Sequence, residues 1–292
     1  MNKKIELYAP AKINLFLHIT GQRTDGYHQL QSVFQLIDWY DMVSLEYVEA
    51  DEITRPLGAH GVSLENDLVV RAARLLKKFT SYPHGVKIHL EKNIPMGAGL
   101  GGGSSDAASV LIGLNRLWDL NLNQSELMSL GLELGADVPF FLFGQNAFVE
   151  GIGEQLSHID LPEEQFLVIF PGQSIATKEV FQAETLTRDH APITISNFLA
   201  SSWKDPPFGN DLQWVASKIC PEVNRALDWI AQLAPSSVKR MTGSGSSVFA
   251  AIPKTCSARE IDRMLQKLPS GWVGRLVQGL KQNPAYNSVY SV

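Results

Sequence analysis

Five glycines fall within seven positions of this chain, Gly97, Gly99, Gly101, Gly102 and Gly103, and Ser104 and Ser105 follow directly. Glycines have no side chain to block a ligand and can turn successive backbone N–H groups toward one point. At the serines a helical pattern begins, with Ala107, Val110, Leu111, Leu114 and Leu117. The unpaired N–H groups and positive dipole end of such a helix favour an anion. The combination is a phosphate cradle. Its bland alternative is a flexible linker or tight turn, which suits poorly a segment between a strand pattern (Val86, Ile88, Leu90) and a well-formed helix. No G-x-x-x-x-G-K-[ST] occurs, so a Walker-type loop is excluded. Gly97-x-Gly99-x-x-Gly102 matches the dinucleotide pattern and the protein-kinase glycine loop. The first requires a βαβ unit where a second helix follows here, and the second requires H-R-D and D-F-G strings, which are absent.

A second loop, Thr242 to Ser247, contains Gly243, Ser244 and Gly245 between two strand-like runs. It reads as a hairpin turn, or as a lid of N–H and hydroxyl groups over phosphates. Lys12 and Asn14 share one face of an alternating strand with Phe16 and His18, opposite Ile13, Leu15 and Leu17. That face is either solvated or lines a cleft with an ammonium and an amide. Asp137, followed by Val138 and Pro139, is placed as a helix N-cap with proline in the first turn. It can equally be a carboxylate in an apolar setting that accepts a hydroxyl proton. A neighbouring Lys12 would favour its charged form and polarise the same hydroxyl. Tyr27 and His28 follow a turn signal at Asp25-Gly26, and Phe181 is either core or a surface for stacking a base.

The elements that must position these residues are mixed. Leu30–Leu36, Val43–Val48, Val86–Leu90, Phe166–Phe170, Val238–Met241, Val248–Ile252 and Trp272–Val277 read as strands. Asn66 is expected to open an amphipathic helix through Val69, Val70, Ala73, Leu76 and Phe79. Asn123-x-x-Glu126 and Ser257-x-x-Glu260 read as capping boxes, with Gly135 ending the first of these helices. Strands and helices do not alternate strictly, so the class is α+β. The polar, turn-rich stretch from Gly151 to Pro162 is the expected domain boundary.

Composition bounds the possibilities. The chain has 292 residues, 45% hydrophobic and 19% charged, with a formal net charge of −5, enough apolar material for a sizeable core. A mildly acidic whole argues against broad nucleic-acid or anionic-membrane binding. Cys220 and Cys256 form no C-x-x-C, which leaves cysteine-based zinc or redox chemistry unsupported. The longest apolar runs, Val138–Phe143 and Phe166–Phe170, fall far short of the roughly 18 residues that span a bilayer. No apolar stretch follows Lys3 and Lys4, so a soluble cytoplasmic protein is expected.

Three blocks in this order, Pro10–Leu15, Pro95–Ser105 and Thr242–Ser247, resemble the galactose/homoserine/mevalonate/phosphomevalonate (GHMP) kinase superfamily. Arg23–His28, Leu100–Ala108 and Leu134–Phe140 narrow the likeness to its non-mevalonate isoprenoid branch, which acts on a cytidine diphosphate methylerythritol. The resemblance implies a two-domain GHMP kinase fold: a β-rich α+β domain over residues 1–158 and a ferredoxin-like domain over 159–292. It implies ATP as co-substrate, Mg²⁺, and transfer to the 2-hydroxyl of the methylerythritol. Asp137 would be the base and Lys12 its partner. Asn14, Tyr27 and His28 would hold the small-molecule substrate, with Phe181 stacked on cytosine. Asn66 would contact adenine. Pro95, Met96, Gly97, Ala98, Gly99, Leu100, Gly101, Gly102, Gly103, Ser104 and Ser105 would bind ATP, Ser105 also touching the metal. Gly243, Ser244 and Gly245 would border the phosphates. Ala98 replaces a glycine of some members. Asp106 stands where others have Asn and is expected to cap the helix. The implied assembly is a monomer or homodimer with no nucleic-acid or membrane partner. A different acceptor within the superfamily, a non-catalytic nucleotide sensor on the same fold, and a dinucleotide-dependent oxidoreductase are the rival readings.

Overall fold

A hairpin of unusual length organises the protein: β1 (Lys4–Gln22) runs antiparallel to β2 (His28–Val48). The structure, a computed structural model, describes residues 3–59, 61–204, 208–253, 256–287 and 290–291. After β2 come β3 (Ile53–Leu57), α1 (Leu68–Thr80), β4 (Gly85–Glu91), α2 (Gly102–Leu117), α3 (Gln124–Leu134) and α4 (Val138–Phe143). Then follow β5 (Ala147–Glu150), β6 (Gln155–His158), β7 (Gln165–Phe170), α5 (Thr177–Gln182), α6 (Ile195–Ala200), α7 (Leu212–Ile219) and α8 (Glu222–Leu233). The chain closes with β8 (Lys239–Met241), β9 (Val248–Ile252), α9 (Ala258–Leu265), β10 (Val273–Gln278), a 3₁₀ turn (Pro284–Asn287) and β11 (Tyr290–Ser291).

The strands form two sheets. The first has the order β11-β1-β2-β4-β3, with β5 and β6 continuing from β2. The second has the order β10-β7-β9-β8, all antiparallel. With helices between β7 and β8 and between β9 and β10, this is the ferredoxin-like βαββαβ order. The last described strand returns to the first sheet, pairing Tyr290 with Ile5.

Burial shows why the long hairpin holds. The β1 residues Ile5, Leu7 and Ala9 pack under α1–α4, Ile13, Leu15 and Phe16 face the second sheet through Phe166, Val168 and Phe249, and Leu17 and Ile19 join the core around α7 and α8. Three cores therefore share one strand. Helix α2 runs across the first sheet, and Gly113 lets it approach: a methyl group there would collide with Leu7 and Leu45.

Several expectations change on this scaffold. Leu30–Leu36 and Val43–Val48 belong to one strand, because β2 runs on through residues 37–42 between them. Asp67, not Asn66, is the N-cap of α1; its carboxylate accepts the Val69 amide proton at 3.0 Å. Phe79 is exposed, so the core stripe of α1 ends at Leu76. The Lys12 face of β1 is not solvated: Lys12, Asn14, Phe16 and His18 are all buried, Lys12 over Phe34, Asn14 against Thr242 of the second glycine loop, and Phe16 and His18 against Phe198, Phe208 and His190. Asp106 does not cap α2, whose N-cap is Gly101. Within the polar stretch after Gly151, β6 pairs with β5. The capping boxes at Asn123 and Ser257 form as expected.

Candidate active site

The two glycine loops meet. The first carries three left-handed glycines, Gly97, Gly99 and Gly101, alternating with Ala98 and Leu100, which are buried. The two apolar side chains anchor the loop while its backbone faces outward. Helix α2 starts at once. Its first hydrogen bond runs from the Ser105 amide to the Gly101 carbonyl at 2.9 Å, leaving the preceding amides without intrahelical acceptors. The second loop is the β8–β9 hairpin turn, and its Gly243, Ser244 and Gly245 line the same space as the first loop. The Ser247 amide donates to the Ala98 carbonyl at 3.1 Å. Gly99 sits so close to Thr242 and Gly245 that a side chain there would strike backbone.

Between the loops, the start of α1 and the middle of β1 at Lys12 lies a cavity of about 510 Å³. Pro95 through Ser104 line it, as do Asn66, Lys12, Asn14, Asp137, Phe181 and Gly243–Gly245. Lys12 and Asp137, 125 positions apart in sequence, come together here: the Lys12 ammonium lies 3.5 Å from the Asp137 carboxylate. The lysine side chain is 4% exposed and the aspartate 33%, so the carboxylate opens into the cavity while the ammonium backs it. Lys12 also donates to Asn14 Oδ1 at 2.7 Å and lies 4.7 Å above the Phe34 ring. Asp137 occupies the N-cap position of α4, but its side chain makes no capping bond. It is thereby left for the ion pair.

Asn14 looks inward to the protein. Its Oδ1 also accepts from the Gly243 amide at 2.9 Å and the Thr242 hydroxyl at 3.1 Å, and its Nδ2 donates to the Ser32 hydroxyl at 3.0 Å. It ties the lysine to the second glycine loop.

The remaining residues divide. Phe181 lines the cavity and lies 5.2 Å, ring to ring, from His28. His28 is half-buried behind it. Tyr27 is exposed at the tip of the β1–β2 hairpin and does not reach the cavity wall. Arg188, missed in the sequence, donates its Nε–H to His28 Nε2 at 3.0 Å, so that the other ring nitrogen carries the proton. It also donates to the Phe181 and Ala183 carbonyls, fixing the segment that carries Phe181. Burial first, and the Arg188 charge second, hold the His28 pKa below its usual 6.5. No local signal marks Arg188, because its side-chain partner His28 opens a strand 160 residues away.

The floor beside the cradle holds another unforeseen group. Lys92 reaches the cavity and bonds both Asp41 and Asp106, the latter at 2.7 Å. Asp41, fully buried, also accepts the amides of Asn93 at 2.5 Å and Ile94 at 2.7 Å. Asp106 therefore serves in an ion triad. Burial raises its pKa well above the usual carboxylate range, Lys92 opposes this and Asp41 adds to it. Burial alone would lower the Lys92 pKa, but the two carboxylates outweigh it and the net shift is upward.

Among the described residues no three His, Cys, Asp or Glu side chains cluster to cage a metal. Ser105 lies fully buried behind the cavity wall, and its Oγ has no hydrogen-bond partner; Ser104 is the serine on the wall itself. This donor set suits an ion carried in by phosphates.

Comparison with known proteins places the arrangement. The model of the GHMP kinases N terminal domain matches residues 67–145, and that of the GHMP kinases C terminal matches residues 187–270. A 4-diphosphocytidyl-2-C-methyl-D-erythritol kinase of Polynucleobacter asymbioticus is 60% identical over 99% of this chain and 98% of its own. One from Burkholderia cenocepacia is 50% identical over 95% and 94%. A crystal structure of a 4-(cytidine 5'-diphospho)-2C-methyl-D-erythritol kinase superposes with a TM-score of 0.80 at 34% identity, covering 94% of this chain and 98% of that one. The Methanococcus jannaschii mevalonate kinase, at 16% identity and a TM-score of 0.68 over 97% and 99%, shares the fold. The chain thus belongs to the GHMP kinases, within their 4-diphosphocytidyl-2-C-methyl-D-erythritol kinase family.

Proposed function

We propose that this chain transfers the γ-phosphoryl group of ATP to the 2-hydroxyl of 4-diphosphocytidyl-2-C-methyl-D-erythritol, giving the 2-phosphate and ADP in non-mevalonate isoprenoid precursor synthesis. The observation that carries the chemistry is the Lys12–Asp137 pair opening into a cavity that the glycine cradle also lines. Phosphoryl transfer demands positioning, charge neutralisation and one group to take a proton. Asp137 accepts the hydroxyl proton as the oxygen attacks the γ-phosphorus and ADP leaves. Lys12 holds the carboxylate in place and offers its charge to the same oxygen. The free amides at the start of α2 take the nucleotide phosphates. Mg²⁺, when bound with ATP, would neutralise charge on the phosphate oxygens. The orphaned Ser105 hydroxyl is the chain's candidate contact to it.

The remaining assignments follow the same reading. Phe181 and His28 form the cytosine end, with Tyr27 closing from the hairpin tip. Asn66 stands at the adenine end, beside Asp67, which Arg55 pairs at 2.7 Å. Residues 1–158 and 159–292 act as two domains with the site between them, and the protein works in the cytoplasm. Among the described residues no helix is long and apolar enough to cross a membrane.

The test is ADP release by the purified protein with ATP and Mg²⁺, offered the cytidine compound, mevalonate and homoserine in parallel. Turnover with the cytidine compound alone is expected. Turnover with another acceptor would overturn the substrate assignment, and silence with all three would favour a nucleotide sensor.

A further inference from the structure

One residue outside the cavity wall controls the second glycine loop. Asn210 lies just before α7, where the segment 209–211 pairs with β1: the Leu17 amide donates to the Gly209 carbonyl at 2.8 Å and the Asp211 amide to the Leu17 carbonyl at 2.9 Å. Its position is thus set by the strand that carries Lys12. Asn210 Nδ2 donates to two carbonyls of the loop, Met241 at 2.8 Å and Gly243 at 2.9 Å. Its Oδ1 accepts the Leu212 amide at 3.0 Å, in the first turn of α7. Both amide protons of the side chain are spent on the loop, and its oxygen holds the side chain in that orientation.

Gly243 is therefore gripped from both sides. Its carbonyl accepts from Asn210, and its amide donates to Asn14 Oδ1, the oxygen that also accepts from Lys12. A continuous line of hydrogen bonds runs from Asn210 through Gly243 and Asn14 to Lys12, and the ion pair carries it to Asp137. We propose that Asn210 is a positioning residue for phosphoryl transfer: it fixes the second glycine loop and, through Gly243 and Asn14, the Lys12–Asp137 pair. It touches neither substrate. Its effect falls on the chemical step, because a loop free to shift takes the acceptor of the lysine with it.

The inference rests on the proposed kinase reading of the cavity, so wild-type turnover is established first; failure there concerns that reading and not Asn210. The informative variant is Asn210→Ser, since serine keeps a side-chain oxygen for the Leu212 amide and loses the two-carbonyl clamp. Asn210→Asp is the second, matching the shape and replacing the donor with an acceptor. At saturating substrates kcat should fall about tenfold or more in both, with ATP affinity within about twofold of wild type. Combining Asn210→Ser with Asn14→Ala should reduce kcat little beyond Asn14→Ala alone, because both act through Gly243. Wild-type kcat in both folded Asn210 variants, or losses that multiply in the double variant, would overturn the assignment. A variant that fails to fold is replaced by the other, which carries the same test.

Discussion

At the scale of the residue, the site works by pairing exposed groups with buried ones that hold them. Asp137 faces the cavity and Lys12 stands behind it at 3.5 Å. Replacing Lys12 by alanine should lower kcat by roughly two orders of magnitude while changing ATP affinity little, in the range of a group acting on the transition state. Isothermal titration with ATP beside steady-state kinetics checks the split. An unchanged kcat would leave Lys12 a packing residue only.

His28 shows the same logic with a titratable ring. Burial and then Arg188 depress its pKa below 6.5, so its neutral form prevails at pH 7. As pH falls from about 6.5 through the lowered pKa, the unfolded chain takes up this proton before the folded one, and stability declines across that window. KM for the cytidine substrate should rise over the same interval. Arg188→Gln removes the second depressing cause and should move that rise to higher pH. A KM that is flat with pH in both proteins would remove His28 from the substrate site.

At the scale of the element, the cradle is held from below as well as shaped by glycine. Asp41 on β2 grips the amides of Asn93 and Ile94, just before the loop, while Lys92 joins Asp41 to Asp106 on α2. Removing the cation by Lys92→Met leaves two buried carboxylates face to face. The expected loss is about 3–5 kcal/mol at neutral pH, as for other broken buried pairs. The loss should be smaller at acidic than at neutral pH, because protonation of Asp106, whose pKa burial already raises, removes the repulsion. Adding Asp106→Asn should restore part of the stability. Denaturant unfolding at the two pH values measures both effects, and a pH-independent loss would contradict the account.

How much of this was legible depends on the range of each interaction. The cradle, the capping boxes at Asn123 and Ser257, and the turn before Tyr27 are local, and their chemistry is written in neighbouring residues. Lys12 and Asp137 were visible as types, but their contact depends on β1 lying beside the start of α4. The solvated-face reading of Lys12 failed because alternation reports one covered face and cannot report that Thr242 of the second glycine loop, His190, Phe198 and Phe208 cover the other. Asn66 was read as the cap that Asp67 in fact forms, because Asn suits the role, and the Arg55 ion pair that holds Asp67 comes from a strand the sequence did not reveal. Lys92, Arg188 and Asn210 were silent, since each acts on a partner brought near only by the fold.

At the scale of the whole molecule, the cavity is lined by residues of the first sheet and by the β8–β9 turn of the second, and the core between the sheets is shared: Ile13 and Leu15 of the first sheet pack in one cluster with Phe166 and Phe249 of the second. Unfolding should therefore be a single transition. ATP with Mg²⁺ should raise its midpoint without splitting it, by the equivalent of about 2.7 kcal/mol at one hundred times the dissociation constant. Differential scanning fluorimetry with tryptophan emission follows this. Two transitions, only one of them moved by nucleotide, would show that the sheets are energetically separate.

The central claim is that Asp137 takes the proton of the acceptor hydroxyl. Its most direct test is single-turnover phosphoryl transfer by Asp137→Asn, with ATP and the cytidine substrate bound beforehand. The account predicts a transfer step slowed by about 10²–10⁴-fold with nucleotide affinity retained. Transfer at close to the wild-type rate would contradict it and remove Asp137 as the base.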